Sequence, residues 1–377
     1  MHATPKGATM QPATEELIRS ALRGIAEVGR GEHGLSLHRL PARLAIFHDV
    51  DPLTQKVADT ASGARLALNT AATEITLTYR STRDEDPDTG FVSPPSRVTL
   101  TSGDLVETIG HSNGNRRIWD ALGNNRVEPG EDSAARFVLG EASGERLVDL
   151  WLPHNCNIEI VDLTADAPLA AAPVTHPRWV HYGSSISHCM EADEPIGVWP
   201  VVAARELGLE LTSLGLAGSA NLEYFAAEYI ASLPADLITL KVGINTVNGG
   251  HMHKRVFVPA VHSFLDAIRA QHPTTPIVLI SPIFCGAHEQ NPGPSRPGAD
   301  GKVRGSEFSD LDWIGELTLE GIREILQSVV ERRGDANLRY LNGLELFSSA
   351  DDGLMPDGLH PNAEGYRLIG ERFARLL

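Results

Sequence analysis

Apolar and polar residues alternate along the first half of the chain. The runs RLAIFHDV, ARLALNT, EITLTYR, SRVTLTS, LVETIG, ARFVLG, RLVDLWL and NIEIVDL follow one another between Leu35 and Ala165. A period of two puts every second side chain on one face of a strand. Turn-rich pieces such as STRDEDPDTG and HSNGN separate the runs, and no helical stripe interrupts them. Residues 35–165 therefore read as a β-sandwich or barrel. Ahead of them, Leu17, Ile18, Leu22, Ile25 and Val28 fall at helical spacing between Thr14 and Val28. Thr14 stands at the start, and Glu15 and Glu16 occupy the first turn, where acids suit the helix dipole. Gly24 weakens that helix. Residues 1–12 read as a tail, so residues 1–34 are a tail and N-terminal helix. Residues 166–177, rich in Pro and Ala, read as a linker.

After Arg178 the pattern changes. Continuous apolar runs at Trp179–Tyr182, Leu209–Leu214, Leu237–Val242, Ile277–Ser281 and Leu338–Leu341 suit strands buried on both faces. Helical patterns lie between them at Ile196–Leu207, Leu222–Leu233, Val256–His272 and Asp312–Arg333, and Asn362–Leu377 closes the chain. Strands alternating with helices predict a parallel sheet with helices on both faces over residues 178–377. The segment Phe284–Phe308 is long and rich in Gly and Pro, which suits a functional loop shaping a pocket.

Composition narrows the class of protein. The 377 residues include 32 Lys+Arg and 49 Asp+Glu, a formal charge of −17. With no basic run, nucleic acid and anionic membrane surfaces are not expected partners. The hydrophobic fraction of 42% and charged fraction of 21% are ordinary globular values, which excludes disorder throughout. Cys156, Cys189 and Cys285 are few, scattered and without CxxC spacing, against a disulfide scaffold or structural zinc. The N-terminal stretch shows no apolar leader, and no run reaches the ~18–20 apolar residues of a membrane helix. The expected location is the cytoplasm.

Four short blocks carry the chemistry. The first strand runs into Gly183-Ser184-Ser185-Ile186, a turn that exposes a hydroxyl above the sheet edge, where open α/β sheets bind ligands. The second strand ends in Gly215-Leu216-Ala217-Gly218-Ser219-Ala220-Asn221, the third in Gly243-Ile244-Asn245-Thr246. Beyond the fifth comes Asp357-Gly358-Leu359-His360-Pro361-Asn362. Each alone is an ordinary turn or cap. Together they bring a nucleophile, small donors, an amide and an Asp–His pair to one edge of the sheet, the set that acyl transfer requires.

Those blocks, GSSIS, GLAGS, GINT and DGLHPNAEGY in that order, resemble the SGNH (GDSL-like) hydrolase superfamily over about 200 residues. The resemblance implies a flavodoxin-like parallel sheet, and the β-rich half looks like the N-terminal sandwich domain of some members. By position it implies Ser185 as nucleophile, His360 as general base and Asp357 as its orienting acid. It implies an oxyanion hole from the Ser185 N–H, the Gly218 N–H and the Asn245 side-chain amide. Ser184 stands where the motif name has Asp, Ser219 where relatives often have Asn or Asp, and Thr246 where Asp is usual. These departures bear on substrate range more than on the triad.

Water as acceptor makes such an enzyme an esterase or deacetylase acting on a small molecule or sugar; an alcohol makes it an acyltransferase. The absence of a visible leader, an Arg-rich and Lys-poor composition and the added β domain favour a small-molecule role. They suit a resemblance to natural-product tailoring acyltransferases, which move an acyl group from a CoA thioester to a hydroxyl. No cofactor is implied, with an acyl-CoA as co-substrate and small-molecule donor and acceptor as partners. A non-catalytic ligand-binding protein on a hydrolase scaffold is the reading from another class. The β domain is read as a pocket wall or a carbohydrate-binding-like module.

Among the remaining residues, His251 and His253 form an HxH pair without an obvious third ligand, so no metal site is expected. His181 reads as a core histidine and Trp199 as core. Cys189 is a rival nucleophile outside the strand-end turn, close enough to line the site. Glu191, Asp193 and Glu194 read either as charges that repel anionic substrates or, equally well, as a solvated helix start.

Overall fold

A computed structural model describes residues 9–44, 52–120, 123–141, 144–310 and 315–377. The chain forms two compact units. One comprises Met1–Arg39 and Asp59–Val174; the other comprises Leu40–Ala58 and Thr175–Leu377.

The first unit is built from two sheets. Among the described residues, a nine-stranded sheet follows the order Asn125–Glu128, Asn115–Trp119, Glu74–Asp86, Asn157–Ala165, Leu35–His38 and Glu27–Arg30, with Gln11–Pro12, Ser133–Val138 and Phe91–Val92 paired at its sides. A six-stranded sheet orders Leu169–Ala171, Arg65–Thr70, Arg146–Trp151, Ser96–Ser102 and Leu105–His111, with Leu22–Arg23 on Arg65–Thr70. Pairing is antiparallel except between Asn115–Trp119 and Glu74–Asp86. Glu74–Asp86 alternates buried and half-buried positions, and Ser133–Val138 buried and exposed ones. Ile75, Leu77 and Tyr79 thus share one core with Leu66, Leu68, Val98, Leu100, Phe137, Val148 and Leu150. Period-two alternation is the physical cause, since each strand turns one row of apolar groups away from water.

Several boundaries differ from the sequence reading. The N-terminal helix covers only Glu15–Ala21, with the Thr14 hydroxyl accepting from the Leu17 N–H. Gly24 takes φ +75°, and Leu22 and Val28 go into strands against Leu66 and Leu37. Sheet pairing here overrides a helical stripe that ran through a glycine. Gln11 and Pro12 are not tail but pair with Ala165 and Thr164. Within the stretch read as a linker, Leu169–Ala171 forms a strand on Arg65–Thr70. The run RLAIFHDV falls largely outside the described residues. The helix that follows it, Pro52–Ala58, belongs to the second unit although its position lies inside residues 35–165. Buried Arg39, whose Nε donates to the Thr60 carbonyl at 2.7 Å, and a 2.6 Å contact between His38 Nδ1 and Asp59 close the base of this excursion.

The second unit is a doubly wound α/β layer. Among the described residues its five sheet strands lie in the order Glu210–Gly215, Arg178–Gly183, Leu237–Lys241, Ile277–Ile280 and Leu338–Leu341, all parallel. The order reverses at Arg178–Gly183, so the crevice of the sheet opens at the carboxyl ends of that strand and Leu237–Lys241. Helices Trp199–Leu207 and Ala363–Leu376 pack together, as do Tyr224–Ser232 and Lys254–Arg269. Trp179, Trp199 and Phe373 are buried as one aromatic cluster, with Trp179 stacked on Phe373 at 5.3 Å. The last long connection helix begins at Leu319, capped by Thr318; residues 312–314 of the longer helix expected there lie outside the described residues.

Candidate active site

Ser185 opens a one-turn helix, Ser185–His188, directly after the strand Arg178–Gly183, and the Ser184 hydroxyl accepts from the Ile186 N–H. The turn lies against the end of the neighbouring strand. A Cβ at Gly215 would sit 2.5 Å from the His188 nitrogen, so that position takes glycine because backbone occupies the space.

Asp357 and His360 share one loop before the helix Ala363–Leu376. Asp357 Oδ1 accepts from the backbone N–H of Leu359 at 2.8 Å and of His360 at 2.7 Å. Its Oδ2 accepts from His360 Nδ1 at 2.7 Å. That bond places the ring proton on Nδ1, so Nε2 is the acceptor facing Ser185 Oγ at 3.0 Å. Burial opposes ionisation of Asp357, but the bonds from the His360 ring and backbone outweigh it and hold the carboxyl down at about 2. For His360, burial favours the neutral ring, yet the Asp357 hydrogen bond and the charges of Glu191 and Asp357 raise its pKa above 6.5.

Gly218 and Asn245 lie on the two loops flanking this edge. Gly218 takes φ +74°, a left-handed conformation that glycine adopts without strain, and a Cβ there would come 2.8 Å from Leu53 Cδ2. Asn245 is buried in the short helix Ile244–Asn248. Its Oδ1 accepts from the Ala220 N–H at 3.1 Å, so the donor end of the amide is Nδ2.

The same loop is held by residues that carry no motif. The Leu222 N–H donates to the Tyr182 hydroxyl at 3.1 Å, and the Asn221 N–H to Glu223 Oε1 at 2.7 Å. Tyr182 donates to Glu223 Oε2 at 2.5 Å. Leu222 itself has φ +65°, rare for a branched side chain and maintained by these bonds. The only signal for this clamp in the sequence is Glu223, a carboxylate ahead of an apolar helical run.

The Phe284–Phe308 loop braces the Asp357–His360 loop from beside it. Its short hairpin, Arg296–Pro297 with Val303–Arg304, lets the Val303 N–H donate to the Asp357 carbonyl at 2.9 Å. Cys285 Sγ donates to the Gly358 carbonyl at 3.3 Å. Arg323 ties the loop down through Glu289 and the carbonyls of Pro282 and Ile283. A cavity of about 510 Å³ adjoins it, lined among others by Lys302, Arg304, Met355 and Gly358.

Other residues find structural places. His181 is fully buried, with Nδ1 at 2.7 Å from Thr239 Oγ1 and Nε2 at 2.8 Å from Ser187 Oγ; burial and the nearby Lys241 push its pKa down to about 3, so the ring is neutral. Trp199 is core. Cys189, expected to line the site, is fully buried instead. Its Sγ donates to the Ile186 carbonyl, and burial pushes the thiol pKa well up, which removes it as a nucleophile. His251 Nδ1 lies 3.1 Å from Asn221 Oδ1. Glu191 is not on a helix start: it follows the one-turn helix, and its Oε2 accepts from Tyr366. Among the described residues, no helix is long and apolar enough to cross a membrane.

Residues 181–368 match the GDSL-like lipase/acylhydrolase family. The salicylyl-acyltransferase SsfX3 from a tetracycline biosynthetic pathway is similar over 99% of this chain and 97% of its own, with a TM-score of 0.77 and 25% identity. A Bacteroides ovatus protein described as a GDSL-like lipase is similar over 98% and 96%, with a TM-score of 0.66 and 17% identity. A family two carbohydrate esterase from Clostridium thermocellum, in complex with cellohexaose, covers 84% of this chain and 92% of its own at a TM-score of 0.55 and 15% identity. The last two likenesses are of fold alone. No curated protein matches the sequence. Residues 181–368 thus form a GDSL-like lipase/acylhydrolase domain of the SGNH superfamily, and the protein is a serine acyltransferase or hydrolase.

Proposed function

We propose that this protein is a cytoplasmic acyltransferase that carries an acyl group on Ser185, taking it from a CoA thioester and passing it to a hydroxyl of a small-molecule natural product. The observation that carries the covalent chemistry is the unbroken chain Ser185 Oγ, His360 Nε2, His360 Nδ1, Asp357 Oδ2, with steps of 3.0 and 2.7 Å between residues. A serine hydroxyl becomes a competent nucleophile when an adjacent base takes its proton. Ser185 Oγ bonds to the thioester carbonyl carbon while its proton passes to His360 Nε2. The oxyanion meets the Ser185 and Gly218 N–H groups and the Asn245 amide. Collapse breaks the C–S bond, and the proton on His360 goes to the departing thiol. The acceptor hydroxyl then attacks the acyl-serine, gives its proton to His360, and Ser185 recovers it. Asp357 keeps the ring in the required tautomer and stabilises its positive form.

The full-length likeness to a salicylyl-acyltransferase supports transfer over hydrolysis. Leu53, 43% exposed yet placed against Gly218, supplies an apolar surface beside the proposed oxyanion donor, suited to an acyl group rather than to water. One observation favours the esterase reading: the His360 and Asp357 side chains keep 22% and 41% of their exposure, so water can reach the base.

The test is to incubate the protein with simple esters and several acyl-CoAs and weigh it intact. An acyl adduct on the Ser185 peptide is expected, discharging faster when an alcohol is added. Discharge that alcohol does not accelerate means an esterase. No adduct, and no labelling by a fluorophosphonate, means a non-catalytic binding protein.

A pH dependence follows from the same geometry. Only neutral His360 accepts a proton, and its raised pKa extends the protonated form to higher pH. The rate constant kcat/KM is expected to fall as pH drops through a single limb centred above 6.5. Asp357, ionised down to about 2, adds no second limb in the neutral range. A limb centred below 6.5 contradicts this assignment of the base.

A further inference from the structure

The His360 ring nitrogen that donates to Asp357 has a second carboxylate near it. Glu191 Oε1 lies 3.9 Å from His360 Nδ1, beside the 2.7 Å bond to Asp357. This is too long for a hydrogen bond but close enough for direct attraction between charges. Glu191 is also held in place. Its other oxygen, Oε2, accepts from the Tyr366 hydroxyl at 2.6 Å, and Tyr366 is fully buried in the helix Ala363–Leu376. Burial and the Glu191 charge both raise the Tyr366 pKa, so the phenol remains a donor at neutral pH. A carboxylate on a long side chain ordinarily averages over many positions, and this one is anchored at one oxygen. Among the described residues, the charges acting on His360 are those of Asp357 from its own loop and Glu191 from the turn after Ser185.

We propose that Glu191, anchored by Tyr366, is a positioning residue that stabilises the His360 imidazolium as Ser185 surrenders its proton and serves as a reserve carboxylate when Asp357 is lost. The inference rests on the acyl-enzyme reading above. It assigns a role to a residue outside all four motif blocks. In triads with one carboxylate, replacing Asp by Asn costs about 10⁴ in kcat, largely through the wrong ring tautomer. With Glu191 facing the same nitrogen, the Nδ1–H form keeps an anionic partner, so the loss is smaller here.

Glu191→Gln retains an oxygen for the Tyr366 hydroxyl and removes the charge. Its acid limb in kcat/KM is expected to move to lower pH, with the His360 titration followed by NMR moving the same way. Asp357→Asn is expected to lose about 10²–10³ in kcat, and the double variant at least tenfold more. Tyr366→Phe, which frees Glu191 without removing its charge, should shift the limb less than Glu191→Gln. A purely structural role for Glu191 would lower Tm in Glu191→Gln and leave the pH limb and the NMR titration where they are. That result, or a double variant no slower than Asp357→Asn, overturns the inference while the acyl-enzyme reading stands. A wild-type protein that neither turns over esters nor labels at Ser185 overturns both.

Discussion

Ser185→Ala is expected to lower kcat by about 10⁴–10⁶ with the fold intact. The argument begins with what the hydroxyl does in the structure. Ser185 Oγ meets His360 Nε2 at 3.0 Å, and the Asp357 bond on the far side of the ring leaves that nitrogen as an acceptor. Alanine removes the atom that would carry the acyl group, so no covalent intermediate forms. What would survive is the proposed oxyanion site and substrate binding, which is why the expected loss is finite. Stability should change little, within about 0.5 kcal/mol, because Ser185 is only half-buried and its backbone bonds are untouched. The checks are single-turnover kinetics with an activated ester and a thermal melt. A folded Ser185→Ala protein with wild-type turnover would sink the nucleophile assignment. Fluorophosphonate labelling should disappear in the same variant.

Asn245→Ala is expected to cost about 10²–10³ in kcat, the usual loss for one oxyanion donor, together with some stability. The two effects come from different ends of one amide. The Nδ2 end is the proposed donor to the tetrahedral oxyanion. The Oδ1 end accepts from the Ala220 N–H, and Asn245 is 3% exposed. Truncation leaves that N–H without its acceptor, at a cost of about 1–3 kcal/mol, and loosens the loop that presents Gly218. Asn245→Asp separates the contributions. It keeps an acceptor for Ala220 but replaces the donor with a carboxylate that repels an oxyanion. Its kcat should fall at least as far as that of the alanine variant, with a smaller drop in Tm. If Asn245→Asp keeps wild-type kcat, the amide is a loop brace and not an oxyanion donor.

The two halves of the chain were legible to different degrees. Leu338–Leu341 and the other strands of the parallel sheet stand within a residue or two of their expected ends. Strands buried on both faces must be apolar throughout, and such runs are visible without knowing their neighbours. In the β-rich unit the alternating runs were visible, but Gln11–Pro12, Leu22–Arg23 and Leu169–Ala171 were not, because strands of two or three residues carry no period. The excursion Leu40–Ala58 was read as part of the β domain for a related reason. A short helix such as Pro52–Ala58 announces itself by what it packs on, and Leu53 meets Gly218 some 165 positions away.

By itself the sequence determined the chemistry offered at the sheet edge. The Ser185 turn, the Asn245 helix and the Asp357–His360 loop are each local, and their spacing within a loop, as in the three positions from Asp357 to His360, is enough to form the 2.7 Å bond. Only the tertiary structure decided how those pieces are held and what surrounds them. The Tyr182–Glu223 clamp, the Leu53 surface and the Tyr366–Glu191 contact join residues 41 to 175 positions apart. Contacts of that range depend on which helices and loops share a face of the sheet. Neither periodicity nor turn chemistry records that: Glu191 is exposed, as read from the sequence, and also stands beside the proposed catalytic histidine.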